Sequence, residues 1–534
     1  MNLKSAHARA LSFLKNETQY RLGFLPSEAA NPLTLQLDRD YSISAANGAD
    51  TLLSCDSALF PLVKSTLSGI LFGKMVAAVK RALAAGRKIA ISSCGAPGRM
   101  AVILEASWLK IHPRSRQVVS IMTGGDYALV RSVEKFEDYA ETGRRQVVEL
   151  NLGQGDVLIG MTATGETTAV LGSAMEAAER GAEVFMLICV PVEIPVSRLE
   201  RCRYLYGLPN VNVIAMPCGG MALTGSTRMQ SSTLEYMMAA AALEIASGEG
   251  LGLDGYSVAF EKTVNGLRQR ESLEALGWAT SFEADAYRRH QLIDYVASDF
   301  LLDILSDTTE RSPTFMVPPY HALDDVQAAE PWALARHPSL SVQDAWHDVL
   351  CREPRCIEWS KGTYEAIGAG TLLKNGLPPI SRKELYKIPI GCEEQPRRRD
   401  ALSVALENGE EGVGYALPAS FGGERLLIGG KVPETPLQLF HHLRLKLMLN
   451  TLSTGTMVLL GRVQGNWMTH LNITNKKLID RACRIISSLC SVSYEDACEE
   501  LFKTIEVPAK ADESPVQRTI DRLGRKKDAS NTFG

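Results

Sequence analysis

Ile159-Gly160-Met161-Thr162-Ala163-Thr164-Gly165-Glu166-Thr167-Thr168 is the stretch on which the reading of this chain turns. The apolar run Val157 to Ile159 leads into it and an alanine-rich, helix-prone segment follows. The stretch therefore reads as a strand, a hydroxyl-rich turn and the first turn of a helix. At a helix entrance the first backbone N–H groups lack intrahelical partners, the dipole favours negative charge, and Gly165 lets the backbone come close to a ligand. Threonine hydroxyls in that setting suit a phosphate. They also suit a plain helix cap, and the two readings are separated by what the rest of the chain adds.

Ser92-Ser93-Cys94-Gly95-Ala96-Pro97-Gly98-Arg99 likewise follows a short apolar strand, Ile89 to Ile91, and opens a helix. Two such turns at the carboxyl ends of parallel strands face one crevice, where open α/β sheets place their ligands. A third hydroxyl cluster, Thr224-Gly225-Ser226-Thr227-Arg228, precedes a long alanine- and methionine-rich helix and brings a cation towards the same rim.

At 534 residues the chain exceeds one ordinary core, so two domains with an appendage are expected. Net charge is −4 with both signs interspersed, which gives no nucleic-acid surface. The 11 cysteines are scattered without CxxC pairs and read as reduced, mostly buried thiols of a cytoplasmic protein, with no metal site and no cofactor implied. The N-terminus mixes Lys4, His7, Arg9 and Lys15 with polar residues, unlike a secretory signal. The longest apolar run, Val184 to Val190 continuing to Val196, is broken by Pro191, Glu193 and Pro195 and is too short for a bilayer, so no membrane partner is expected.

Candidate strands at Lys88–Ser93, Val118–Met122, Asp156–Met161, Glu183–Val190 and Val211–Met216 alternate with helical segments, the βαβ rhythm of a doubly wound parallel sheet. The second half repeats this more weakly, at Ser298–Ile304, Cys356–Trp359, Leu385–Pro389, Gly412–Leu417 and Arg425–Ile428. A long amphipathic pattern starts at Leu437, with stop signals near Gly455 and Gly461. The division expected is an N-terminal arm (1–44), a first α/β domain (45–290), a second (291–435), a C-terminal helical lid (436–507) and a polar, mobile tail (508–534).

Several segments resemble one family. The turns above, Leu25-Pro26-Ser27-Glu28 with Asn31-Pro32-Leu33-Thr34 and Leu37-Asp38, and above all Leu449 to Met457, Gly461 to Asn466 and Thr474 to Leu478, are similar to the bacterial N-acetylmuramic acid 6-phosphate etherases and animal glucokinase regulatory proteins. These belong to the sugar isomerase (SIS) domain group. The resemblance runs from about residue 25 to about 505 and implies two doubly wound SIS domains, parallel sheets flanked by helices, with a helical lid. Etherases carry one SIS domain per chain and work as dimers; the length here, and Asp307 to Phe315, fit the two-domain regulators.

The same resemblance assigns residues. Etherases use two glutamates, a base beside the sugar carbonyl and an acid for the departing lactyl oxygen, with pKa values pushed towards neutrality. Glu134 falls on one position and Trp108, whose indole exchanges no proton at neutral pH, on the other. Glu105, three residues before Trp108 and on its helix face, is the candidate substitute. Exposed surface charges are the plain alternatives for Glu105 and Glu134, and the regulators use a glutamate at the Glu134 position to hold sugar hydroxyls. Thr162, Thr164, Gly165 and Thr167 match the phosphate loop, Ser226 and Thr227 a second hydroxyl pair, Lys477 and Arg481 the lid cations, and Glu310 a contact from the second domain; Ser93 and Gly95 stand in the first turn. Two departures stand out. Pro97 replaces a hydroxyl and removes a backbone donor, and Gln230 replaces a lysine; each lost charge-assisted hydrogen bond is worth roughly 1.5–3 kcal/mol. The expectation is a protein binding a hexose phosphate such as fructose 6-phosphate or fructose 1-phosphate and controlling a sugar kinase, the alternative being an etherase-like lyase or a sugar-phosphate isomerase.

Overall fold

The computed structural model describes residues 3–531 apart from 472, 474–475 and 510–512; the side chains at 3, 4, 19, 134 and 525–531 also lie outside it. Strands Ile89–Ser93 (β1), Val118–Met122 (β2), Val157–Met161 (β3), Glu183–Ile188 (β4) and Val211–Ala215 (β5) form an all-parallel sheet in the order β2-β1-β3-β4-β5. Helices cover both faces, which is why β1, β2 and β3 are buried at every residue and largely apolar instead of alternating, with Ser92, Ser93 and Ser120 the polar exceptions. The winding direction reverses between β1 and β3. That is the switch point of the sheet, and the two turns singled out in the sequence sit at its carboxyl edge.

Helices Ala140–Glu149 and Thr168–Glu179 cross on this lobe with almost no space between backbones. A Cβ on Gly143 would lie 1.9 Å from the carbonyl oxygen of Ala169, and one on Gly172 2.1 Å from that of Ala140. Since helix Thr168–Glu179 starts at the hydroxyl turn, this crossing fixes where the turn points.

Strands Ile293–Val296 (β6), Ala333–Arg336 (β7), Leu402–Asn408 (β8), Val413–Ala416 (β9) and Arg425–Ile428 (β10) build a second sheet in the order β10-β9-β8-β6-β7. Only β6, β7 and β8 are parallel; β9 and β10 are added as antiparallel hairpin strands, so this sheet is mixed. Three expected strands are corrected. Ser298–Ile304 runs into the helix Leu301–Phe315, Leu385–Pro389 follows the short helix Arg382–Leu385, and Cys356 makes only an isolated bridge to Gly125. Short apolar runs do not separate strand from buried helix.

The sequence pattern of helix Leu439–Leu459 predicts an amphipathic helix, yet its residues from Leu439 to Val458 are all buried. A helix covered on every side has no polar face to display, and its polar residues tie other elements to it. The His442 Nδ1 lies 2.9 Å from Asp303 and its Nε2 3.0 Å from the Ser107 hydroxyl, joining both lobes to this central helix. Gly455 does not stop the helix; it makes room for Tyr41, whose hydroxyl would lie 2.2 Å from a Cβ there. Helices Lys476–Cys490 and Tyr494–Ile505 form a separate core with the N-terminal helix Leu3–Asn16, through Phe13, Ile486, Leu501 and Phe502. The expected mobile tail contributes helix Pro515–Asn531, which buries Val516 and Thr519 in that core. Among the described residues no single helix is long and apolar enough to cross a membrane; the bent pair Ala45–Leu67 and Ile70–Ala84 passes by length and composition, and it packs Leu52, Leu53, Val63, Phe72 and Met75 into the main core.

Gly143→Ala is expected to lower unfolding stability by about 1–3 kcal/mol, the usual cost of overpacking. Urea denaturation of the two proteins measures it; an unchanged midpoint would show that the two helices have room to separate.

Candidate functional site

A cavity of about 170 Å³ opens at the switch point. Ser93, Cys94, Gly95 and Pro97 line it from the first turn, Thr162, Thr164 and Thr167 from the second, and Ser226, Thr227 and Arg228 from the third. Glu310 and Thr314 reach in from the second lobe, and Lys477 and Arg481 lie across the top. The ten predicted residues Ser93, Gly95, Thr162, Thr164, Thr167, Ser226, Thr227, Glu310, Lys477 and Arg481 thus meet around one space. Gly165 shapes the turn without lining the cavity: its φ of +71° is the left-handed region that favours glycine, and its carbonyl accepts from the Tyr206 hydroxyl at 2.7 Å.

Three helices begin at this cavity, Gly95–Ile111, Thr168–Glu179 and Gln230–Ser247, and in none does the N-cap side chain bond the first turn. Thr167 occupies such an N-cap, but its hydroxyl lies 3.0 Å from that of Thr162 and makes no cap bond. The capping reading of Thr167 is therefore set aside. What remains is a concave rim of hydroxyls and helix entrances with partial positive charge, the chemistry of an anion cradle.

The rim is held by residues whose motifs are visible in the sequence but whose role only the fold reveals. Asn466 donates to the Asn31 carbonyl and the Thr34 hydroxyl, both at 3.0 Å, and its own carbonyl takes the Thr224 N–H at 2.9 Å. Asn31 and Thr34 in turn bond Gly220 and Ala222. Segments far apart in the chain thus share one buried network behind Ser226. Glu28 is the clearest omission. It is buried and clamped by Arg481 and Arg484, each with an N–O distance of 2.6 Å. Burial opposes its ionisation, but the two guanidiniums outweigh that and hold its carboxyl down at about 2. Arg481 is consequently a strut of the cover as much as a cation of the cavity.

The catalytic candidates fare differently. Glu105 is neither an exposed charge nor a member of the site: it is buried, accepts from the Ser120 hydroxyl at 2.7 Å and pairs with Arg355 and Arg352 of the second lobe. Burial again opposes ionisation, and the two arginines hold the carboxyl at about 2. A group ionised that firmly between lobes cannot relay protons near neutrality. Trp108 is thirteen residues into the helix that starts at Gly95, about 20 Å along its axis, and faces a different surface cavity with Lys80 and His112. Glu134 opens the 3-10 helix Glu134–Asp138, and its side chain lies outside the described residues. Thr474 and Asn475 of the quoted motif lie outside them as well. Glu137, passed over in the sequence, lines the cavity.

Of the two departures, Pro97 does line the cavity. Gln230 does not: it bonds Asp56 at 3.1 Å and the Ala222 N–H at 2.8 Å beneath the rim. A cation lies close by all the same, in the ammonium of Lys446 on the central helix. It donates to the carbonyls of Arg228 and Met229 and to the Thr233 hydroxyl, and burial lowers its pKa.

An α/β lobe with a hydroxyl-lined cavity at its switch point, covered from the far end of the chain, fits the SIS-domain class. Residues 72–178 match the family described as glucokinase regulatory protein N-terminal SIS domain. The N-acetylmuramic acid 6-phosphate etherases of Salmonella agona (strain SL483) and Salmonella typhi are each 32% identical over 222 residues, covering 41% of this chain and 68% of theirs. Among solved structures, glucosamine-6-phosphate deaminase from Thermotoga maritima aligns over 77% of this chain and 94% of its own, at 11% identity and a TM-score of 0.36. The chain belongs to the SIS-domain family that contains the N-acetylmuramic acid 6-phosphate etherases and glucokinase regulatory protein.

The Glu28 clamp sets a pH dependence. Its folded pKa lies below the ordinary carboxylate value, so the stabilisation is complete above about 4.5 and is lost as pH falls towards 2. Hydrogen exchange of helix Lys476–Cys490 should accelerate over that window. Glu28→Gln, which leaves two arginines facing an uncharged partner, should cost about 3–5 kcal/mol at pH 7 and abolish the acid sensitivity; acid loosening that survives unchanged in the variant would assign it to other groups.

Proposed function

We propose that this protein binds a hexose phosphate in the cradle and serves as a ligand-dependent regulator of a sugar kinase in the cytoplasm. In this reading the first lobe, 45–290, carries the ligand, the second, 291–435, adds Glu310, and the C-terminal helices with Lys477 and Arg481 close over it. The observation that carries the proposal is the convergence of three helix entrances without side-chain caps and eight hydroxyl side chains on one cavity. A phosphate monoester offers charged acceptor oxygens that can compete for such N–H groups and hydroxyls. Fructose 6-phosphate and fructose 1-phosphate are the ligands to try first, by likeness to the regulators. Coupling to a partner requires only that the ligand bind one position of the cover better than another.

Binding without turnover is favoured because Glu105 is locked in an ion-pair network away from the cavity. The lyase reading keeps one specific support: Glu137 and Glu310 both line the cavity, and carboxylates at a bound sugar are what ether cleavage needs. Incubation with N-acetylmuramic acid 6-phosphate and assay of lactate separates the two. Lactate release that Glu134→Gln abolishes would establish the lyase; its absence, with saturable hexose phosphate binding, supports the regulator.

A thermal-shift panel of hexose phosphates should give a saturable rise in Tm, since a ligand that binds only the folded state stabilises it. Thr164→Val and Thr167→Val should each weaken binding about tenfold, the equivalent of one hydrogen bond of roughly 1.4 kcal/mol. Equal affinity in both variants would move the phosphate away from this turn.

A further inference from the structure

Glu166 stands within the second turn, between Gly165 and Thr167, and its carboxylate is itself an anion of the kind a helix entrance favours. The carboxylate is largely buried, with its side chain 9% exposed. Arg201 holds it with Nη2 at 2.6 Å, while the Arg201 Nε donates to the Glu166 backbone carbonyl at 3.1 Å. Its Oε1 accepts from the Thr164 hydroxyl at 3.3 Å and lies 3.7 Å from the Nζ of Lys477. One hydroxyl of the cradle and the lysine of the cover are therefore engaged by an anion that belongs to the chain itself.

We propose that Glu166 is an internal competitor for the anion site and the residue that sets its ligand selectivity, a reading that rests on the sugar-phosphate function proposed above. An incoming anion must take Thr164 and Lys477 from Glu166 and tolerate the carboxylate beside it. A phosphate monoester brings two charges for Lys477 and the helix entrances, and its sugar hydroxyls add contacts that inorganic phosphate lacks. A singly charged sugar acid brings neither the second charge nor the same number of acceptor oxygens, and is rejected. Without this competitor, helix entrances, hydroxyls and a lysine would hold any small anion. Glu166 thus trades affinity for discrimination. The exchange also links the ligand to the cover: Lys477 lies in the first turn of helix Lys476–Cys490, so changing its partner from Glu166 to a phosphate changes what holds that helix over the cavity.

Calorimetric titration of the full chain with inorganic phosphate and with fructose 6-phosphate tests this, using wild type, Glu166→Gln, Glu166→Asp and the double variant Glu166→Gln/Lys477→Met. Glutamine keeps an acceptor for Arg201 and Thr164 but no charge. Glu166→Gln should bind inorganic phosphate at least tenfold more tightly than wild type, with a smaller preference for fructose 6-phosphate over inorganic phosphate. The gain should vanish in the double variant, and Glu166→Asp, which keeps the charge, should stay near wild type; it also preserves the test should the glutamine variant fold poorly, because tight phosphate binding by Glu166→Asp would equally refute the competitor. Wild type that binds fructose 6-phosphate alongside a Glu166→Gln variant with unchanged or weaker phosphate affinity overturns the inference and leaves the sugar-phosphate reading standing. Failure of all four proteins to bind fructose 6-phosphate, with no member of the thermal-shift panel of hexose phosphates stabilising any of them, overturns that reading and the inference with it.

Discussion

Arg228 and Arg311 meet at Asp307, and the geometry of the cavity depends on that buried junction. Arg228 comes from the third turn of the first lobe and reaches Asp307 at 3.0 Å, the Ser453 hydroxyl at 3.1 Å and the Thr454 hydroxyl at 2.7 Å. Arg311 holds the other oxygen of Asp307 at 2.8 Å and pairs with Glu283, which also accepts from the Tyr295 hydroxyl at 2.7 Å. The opposing carboxylates outweigh burial and keep the Arg311 guanidinium charged. Breaking such a network strands a charge in the interior, which costs far more than the network itself contributes to stability. Its value is positional. The rim residues Ser226 and Thr227, the second-lobe helix bearing Glu310 and the central helix are held in one arrangement, so the two lobes present their groups to the cavity together.

Around that junction the molecule is layered. The switch point of the first sheet provides the helix entrances, and the close crossing at Gly143 and Gly172 aims the second turn. The second lobe backs the site: Arg99, in the first turn, bonds Glu310 and the Ala128 carbonyl, while Thr309 bonds the Leu129 carbonyl at 2.8 Å. The cover is a distinct core in which the two ends of the chain pack together. It meets the site through Arg481 and Arg484 on Glu28 and through Lys477 on Glu166. The contacts at Glu28 are firm ion pairs in a buried pocket. The contact at Glu166 is longer and partly exposed, and it is the one a bound anion can replace.

The first lobe was legible because its strands are largely apolar runs, several ending in turns rich in glycine and hydroxyls, and the chain presents them in order. The second was not: its sheet mixes parallel and antiparallel strands, and runs such as Ser298–Ile304 and Leu385–Pro389 are apolar for reasons of burial that leave strand and helix alike. The central helix was legible as a helix but not as a buried one, since its His442, Arg444, Lys446 and Asn450 look like a polar face until their partners in the surrounding lobes are seen. Most of the cavity lining followed from the hydroxyl turns and the family resemblance. Glu105 was misjudged because its partners, Arg352 and Arg355, lie some 250 residues away in sequence, and Gln230 because a position in a motif does not say which way a side chain points. Glu28 and Glu166 lay in quoted segments; nothing local marks either as the partner of a cation on helix Lys476–Cys490.

Hydrogen exchange read by mass spectrometry, with and without saturating fructose 6-phosphate, tests the central claim most directly. Protection rising together in 162–168, in 224–230 and in helix Lys476–Cys490 is what a phosphate gripped between the cradle and the cover produces. Protection confined to another surface, or a cover whose exchange is indifferent to the ligand, would contradict the account.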